Sequence, residues 1–259
     1  MKKLVILSAL IIGISFTTNA QENGTEKMKP EETEYYAPIP PVVTPGASFA
    51  DAPSDAIILF DGKNLNQWVS TKDSTAAKWI VADNAMTVDK ATGDIQTKRT
   101  FTDYQLHIEY RIPANITGSG QARGNSGIFL AALPWGAGGY ELQVLDNYKN
   151  PTYVNGQAGS IYKQSVPLAN ACRKPGEWQT YDVIWTAPQF NNHGVLKSLA
   201  RVTVFHNGIL VQNNTTVLGD TPYIGQPSYR RHGPAPIKLQ AHGDKSEPLS
   251  YRNIWVRPL

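Results

Sequence analysis

The sequence predicts an all-β protein, a two-sheet sandwich of the jelly-roll kind, on three observations. Short apolar or alternating runs recur from residue 55 to the end, with turn residues between them. Asn207-Gly208 stands between two such runs, and both residue types tolerate the positive φ of a tight hairpin. Beyond the first twenty residues no segment offers three capped helical turns of apolar spacing, and no βαβ alternation is visible.

Taken in order, Ala56-Ile57-Ile58-Leu59-Phe60 is the first core strand, and Asp61-Gly62 stops it. Residues 102–112 alternate: Tyr104, Leu106, Ile108, Tyr110 and Ile112 face one way, and Gln105, His107, Glu109 and Arg111 the other. The second set is expected to form an ordinary solvated outer face. Further strands are expected at 128–130, 140–145, 178–185, 201–205, 209–212, 237–241 and 253–256. Trp68, Trp79, Trp178, Trp185 and Trp255 read as core or sheet-edge packing.

Two segments precede this body. Residues 1–20 have the form of a secretory signal: Lys2 and Lys3, a short apolar run at 4–16, and Thr18-Asn19-Ala20 as a cleavage site. The apolar run falls short of the roughly 20 residues that cross a bilayer, so an exported, periplasmic or secreted bacterial protein with no membrane span is expected. Residues 21–54 mix glutamates with Pro30, Pro38, Pro40, Pro41, Pro45 and Pro53, which reads as an exposed tether. The body is then 55–259.

Composition narrows the function. The formal charge is +3, and setting aside Lys2 and Lys3 leaves 22 basic against 21 acidic side chains, a poor balance for binding nucleic acid. The single Cys172 excludes an internal disulfide and a cysteine-rich zinc site. No His-Glu-x-x-His or EF-hand loop is present, so no cofactor is expected; a structural calcium is conceivable on this type of fold but nothing indicates one.

Four stretches carry a resemblance. They are Leu59-Phe60-Asp61-Gly62-Lys63-Asn64-Leu65-Asn66-Gln67-Trp68; Gly124-Asn125-Ser126-Gly127-Ile128-Phe129-Leu130; Tyr140-Glu141-Leu142-Gln143-Val144-Leu145-Asp146; and Leu239-Gln240-Ala241-His242-Gly243, closing with Tyr251-Arg252-Asn253-Ile254-Trp255-Val256. In this order and spacing the chain resembles the 3-keto-disaccharide hydrolase domain family over roughly residues 55–258. The resemblance implies a concanavalin A-like jelly roll and an exported hydrolase or lyase acting on glycosides oxidised to a ketone at carbon 3. A more distant likeness joins residues 141–146 to the Glu-x-Asp-x-x-Glu strand of laminarinase-type glucanases. Here Gln143 replaces an acid and Asp146 is one methylene short, so a paired-carboxylate mechanism is disfavoured and Asp146 reads as a turn residue.

A carbonyl at carbon 3 acidifies the hydrogen on carbon 2. One base can remove it, and the group on carbon 1 leaves by β-elimination; later addition of water gives net hydrolysis. Glu141 is the first choice for the base, with a structural ion pair to Arg111 or Lys238 as its alternative. His242 and Glu109 are the other catalytic candidates, His242 as a proton-exchanging group and Glu109 with Arg111 beside it. Arg111, Asn125, Gln143, Tyr162, Lys238, Gln240 and Trp135 are candidates for binding a small saccharide, Trp135 as a stacking platform on the loop 134–139. A carbohydrate-binding module without catalysis and a conventional endo-glucanase are the competing readings. Oligomeric state is left open.

Overall fold

The computed structural model describes residues 28–135 and 138–259. The expected leader at 1–20 lies outside the described residues. The chain divides at Val42 into two units. The described part of the first holds one short 3-10 helix, Pro30–Thr33.

The second unit is an antiparallel sandwich. The fifteen strands among its described residues, numbered in chain order, fall into three sheets. The large sheet contains β1 (Ile57–Phe60), β3 (Ile80–Ala82), β4 (Ala85–Thr87), β6 (Tyr104–Arg111), β9 (Trp178–Thr186), β12 (Ala200–His206), β13 (Ile209–Val217) and β15 (Ser250–Pro258). Their order is β13-β12-β9-β6-β15-β4-β3, with β1 also paired to β15. The opposing sheet runs β2 (Trp68–Ser70), β5 (Ile95–Thr97), β14 (Lys238–Leu239), β7 (Ser126–Ala132), β8 (Gly139–Val144). A small ribbon joins β10 (Gln189–Phe190) to β11 (Leu196–Ser198). Among the described residues no helix is long and apolar enough to cross a membrane.

Alternation builds the core as the sequence implies. Tyr104, Leu106, Ile108 and Tyr110 of β6 and Tyr181, Val183 and Trp185 of β9 point inward against Ile128, Leu130, Tyr140, Leu142 and Val144 from the opposing sheet. Buried tyrosines also tie the sheets together, because each hydroxyl needs a partner away from water. Tyr104 donates to the Leu130 carbonyl at 2.6 Å, Tyr181 to the Gln143 carbonyl at 2.8 Å, and Tyr251 shares a 2.7 Å bond with Ser126. The first two fix the backbone of β7 and β8 from beneath, and the third holds the Ser126 hydroxyl. The expected hairpin is present: Asn207 and Gly208 have φ of 52° and 79°, and His206 pairs with Ile209.

The outer face of β6 departs from the expectation of a solvated surface. Part of the segment expected to be an exposed tether lies across it. The carbonyl of Ala50 accepts bonds from Asn253 at 2.9 Å and from the indole of Trp255 at 3.0 Å. The Trp255 ring stacks on His107 with centroids 5.4 Å apart. Asn253 sits at φ 46°, where the ladder between β15 and β6 slips register; asparagine tolerates this backbone better than most residues. Beneath lies a buried charge network. Nδ1 of His107 is 2.6 Å from Asp182, Nε2 is 3.7 Å from Glu109, and Arg252 donates to Glu109 at 2.6 Å.

Burial alone would push His107 down, but Asp182 and Glu109 outweigh it and hold the imidazole up at about 9. Burial would likewise lift Glu109, but His107, Asn253 and Arg252 hold it at about 2. The signs fix a window. The His107 contribution to stability is complete below its unfolded value, near 6.5, and is lost as pH rises toward 9; the Glu109 contribution is complete above about 4.5 and is lost as pH falls toward 2. The melting temperature should therefore decline between about pH 6.5 and 9, and His107→Gln should flatten that decline. A variant that keeps the wild-type alkaline slope in a calorimetric pH series would assign the slope to another group.

Candidate functional site

The outer face of the five-stranded sheet carries a groove of about 420 Å³. Register explains its lining. Lys238 pairs with Phe129, Phe129 with Glu141, and Gly127 with Gln143, while the Gln240 amide donates to the Gly127 carbonyl at 3.0 Å. Neighbouring strands thus place Lys238, Phe129 and Glu141 in one row across the sheet and Gln240, Gly127 and Gln143 in the next. His242 and Asn125 follow, their side chains 3.4 Å apart. Core residues Ile128, Leu142 and Leu239 alternate with these and point the other way.

Gly127 decides where Glu141 goes. A Cβ at position 127 would lie 2.4 Å from Oε1 of Glu141 and 3.0 Å from its Cδ and Cγ. The Glu141 side chain therefore lies over the bare backbone of Gly127, which brings its carboxyl between Gln143 and Gln240. Glu141 is 7% exposed. Among the described residues no hydrogen bond or ion pair reaches its carboxyl, so burial lifts it to about 8, with only partial relief from the charge of Lys238.

Lys238 does not neutralise it directly. Its Nζ lies 3.5 Å from the centroid of the Phe129 ring and 3.5 Å from Asp94. Burial lowers the ammonium below its ordinary range despite Asp94 and Glu141. His242 is held from behind. Its Nδ1 lies 2.7 Å from Oδ2 of Asp244; the carboxylate accepts, so in the neutral imidazole the proton sits on Nδ1 and the lone pair on Nε2. Burial would raise Asp244, but Ser246, His242 and Lys90 hold its carboxyl below the ordinary range.

The rim is aromatic. Tyr153 and Tyr162 share a hydroxyl contact of 2.5 Å, and Tyr223 faces the same groove. Lys163 lies 4.2 Å from the Tyr223 ring centroid. Thr221 closes one edge by accepting the Glu141 backbone amide at 3.2 Å.

Of the residues expected to form the site, Glu141, His242, Asn125, Gln143, Tyr162 and Gln240 line this groove together. Glu109 and Arg111 do not. They lie on the outer face of the other sheet, where Glu109 binds Arg252 and Arg111 lies 4.7 Å from the Trp178 ring, both committed to packing. Trp135 is no stacking platform in this groove either: it is partly buried against the core and is absent from the groove lining. Lys238 acts on Glu141 through space from beneath Phe129 and does not line the groove. Asp146 is a loop residue bound to Arg123 at 2.6 Å and to the Tyr148 amide at 3.1 Å. Sequence reading missed Asp244, Gln121, Tyr153 and Tyr223. Asp244 had a signal, the His-x-Asp spacing after a strand; the two tyrosines come from loops and had none. Among the described residues no three His, Cys, Asp or Glu side chains gather as a metal-binding group.

Known proteins place this sandwich among the carbohydrate-active enzymes. The chain belongs to the 3-keto-alpha-glucoside-1,2-lyase-like domain family, which matches residues 55–257. It is 56% identical to a candidate glycosyl hydrolase from Parabacteroides distasonis ATCC 8503, covering 91% of this chain and 99% of that one with a TM-score of 0.84. A second candidate glycosyl hydrolase of that organism is 19% identical, covers 79% of this chain and 94% of its own, and shares the fold at a TM-score of 0.57. Among curated proteins nothing matches the chain.

Gly127→Ala tests how the groove is built. The added methyl meets the far end of a flexible side chain, so the fold should persist with a melting temperature within a few degrees of wild type. Displacing the Glu141 carboxyl by about 1 Å should lower sugar turnover about 10²-fold. Unchanged turnover would show that Glu141 need not lie over position 127.

Proposed function

We propose that the protein cleaves the glycosidic bond of 3-keto-glycosides by proton abstraction at carbon 2 and β-elimination. The observation that carries this reading is the pairing, in one groove, of a buried carboxyl that has no partner among the described residues and an imidazole held through Nδ1 by Asp244, so that the neutral ring turns its Nε2 lone pair to the groove. One group arrives with a proton to give and the other with a lone pair to receive one. The family match supports the choice of a sugar oxidised at carbon 3.

The buried carboxyl reverses the role expected for Glu141. At about 8 it carries its proton at neutral pH, which suits an acid and not a resting base. In this reading Nε2 of His242 takes the carbon 2 proton, and the electron pair forms the enolate across carbons 2 and 3. The enolate then collapses: the carbon 3 carbonyl returns, a double bond forms between carbons 1 and 2, and the bond from carbon 1 to the leaving oxygen breaks. Glu141 delivers its proton to that oxygen. The Tyr153 and Tyr162 pair supports the enolate, because only one of its two protons lies between the oxygens and the other is free to donate. Adding water across the new double bond, with the proton transfers run backward, gives net hydrolysis. Export belongs to the same reading and rests on the leader at residues 1–20.

The test is release of the alcohol from 3-keto-glucosides and from the parent glucosides. Only the keto forms should be cleaved, with solvent deuterium entering at carbon 2 of the recovered hydrated sugar. With Glu141 as acid, kcat/KM should fall as pH rises through about 8; a rise through the same range would make it the base. Glu141→Gln and His242→Gln should each cost at least about 10²-fold. Glu141→Gln should also melt no lower than wild type at pH 8, since it removes a buried ionisable group that has no partner. Saccharide binding without cleavage of either sugar form would reduce the protein to a binding module.

A further inference from the structure

We infer that Gln143 presents its amide oxygen as a fixed acceptor for one hydroxyl of the bound sugar ring, and so sets a ring position that must carry a free hydroxyl. This deepens the cleavage reading above and rests on it for the identity of the ring.

The argument is a chain of forced orientations. The backbone carbonyl of Gln121 can only accept, and it receives Nδ2 of Asn125 at 2.8 Å. That bond fixes which end of the Asn125 amide is nitrogen, leaving Oδ1 to accept from Nε2 of Gln143 at 3.1 Å. Gln143 also donates to Oε1 of Gln121 at 3.3 Å, so its amino end is committed. Its Oε1 is the remaining atom, and it is buried without a partner among the described residues. Gln143 is 1% exposed and lines the groove beside Glu141.

A buried amide oxygen without a donor costs free energy unless a ligand supplies one. A ketone oxygen cannot supply it, since it carries no proton; a sugar hydroxyl can. Gln143 therefore reads an unoxidised position of the ring, while the oxidised position belongs with the donors at Tyr153 and Tyr162. Gln240 offers a useful contrast. Its Oε1 is also without a partner, but none of its side-chain atoms is anchored among the described residues, so its amide can turn either end to the ligand. Of these two glutamines, Gln143 alone is held to one choice.

The probes are a 3-keto-glucoside and its 2-, 4- and 6-deoxy forms. One deoxy form should lose about 10²-fold in kcat/KM with the wild-type protein, because a site built to pair a hydroxyl is left unpaired without it. In Gln143→Met the parent should fall by a similar factor while that same deoxy form falls at most a few-fold from its own wild-type value, so the discrimination shrinks to a few-fold. Asn125→Leu is the second variant. It leaves Gln143 in place but frees its amide to turn, and should cut the discrimination about tenfold. Wild-type protein indifferent to every deoxy form, or either variant discriminating as wild type does, would overturn the assignment. If no keto sugar is turned over, the cleavage reading fails by itself. The same series run with unoxidised glucosides by binding calorimetry then decides the Gln143 acceptor by the same pattern.

Discussion

The groove depends on a side chain that is absent. Strand β7 passes under the site at Gly127, and the Glu141 side chain folds over that bare stretch of backbone into space a Cβ would fill. Because it folds there, the carboxyl ends up beside Gln143 and Gln240, shielded from water and beyond bonding reach of Lys238. Its retained proton, the flanking amides and the nearby imidazole all follow from that placement. The sheet beneath is tied down: tyrosine hydroxyls from the opposing sheet grip the backbone of β7 and β8 at Leu130 and Gln143 and the side chain of Ser126.

Two buried glutamates in this protein show how surroundings divide one residue type into two uses. Glu109 meets an arginine, an asparagine amide and an imidazole, and stays ionised far into acid. Glu141 meets an aromatic ring, a glycine and two neutral amides, and keeps its proton to about 8. Both are nearly inaccessible, so burial alone does not separate them. The number of donors within bonding distance does. The first arrangement fastens a peptide segment to a sheet, and the second holds a proton ready for transfer.

The imidazoles repeat the lesson. His107 is clamped between two carboxylates under Trp255 and has no route to a ligand. His242 has one carboxylate behind it and the groove in front. A histidine with a single carboxylate partner has one nitrogen left for chemistry, whereas one with two has none.

Much of this could be read from residue order. The alternation at 102–112 separates core from outer face correctly, the Asn-Gly pair marks its hairpin, and Glu141 and Gln143 fall on outward positions of β8 because side chains alternate with period two, while His242 lies three residues past the end of β14. The three-residue strands β2 to β5 escaped notice, being too short to show a period. What covers an outward face is a different matter. Gln105 to Arg111 and Glu141 to Gln143 look alike as alternating polar positions, yet residues from the 43–54 segment lie against one, while the other lines an open groove bordered by Gln121, Thr221 and three tyrosines. Local periodicity assigns a side chain to one side of a sheet. Only long-range packing brings Ala50 to Trp255, or Asn125 to Gln143, and those contacts decide which polar residues are spent on structure and which are left free for a sugar.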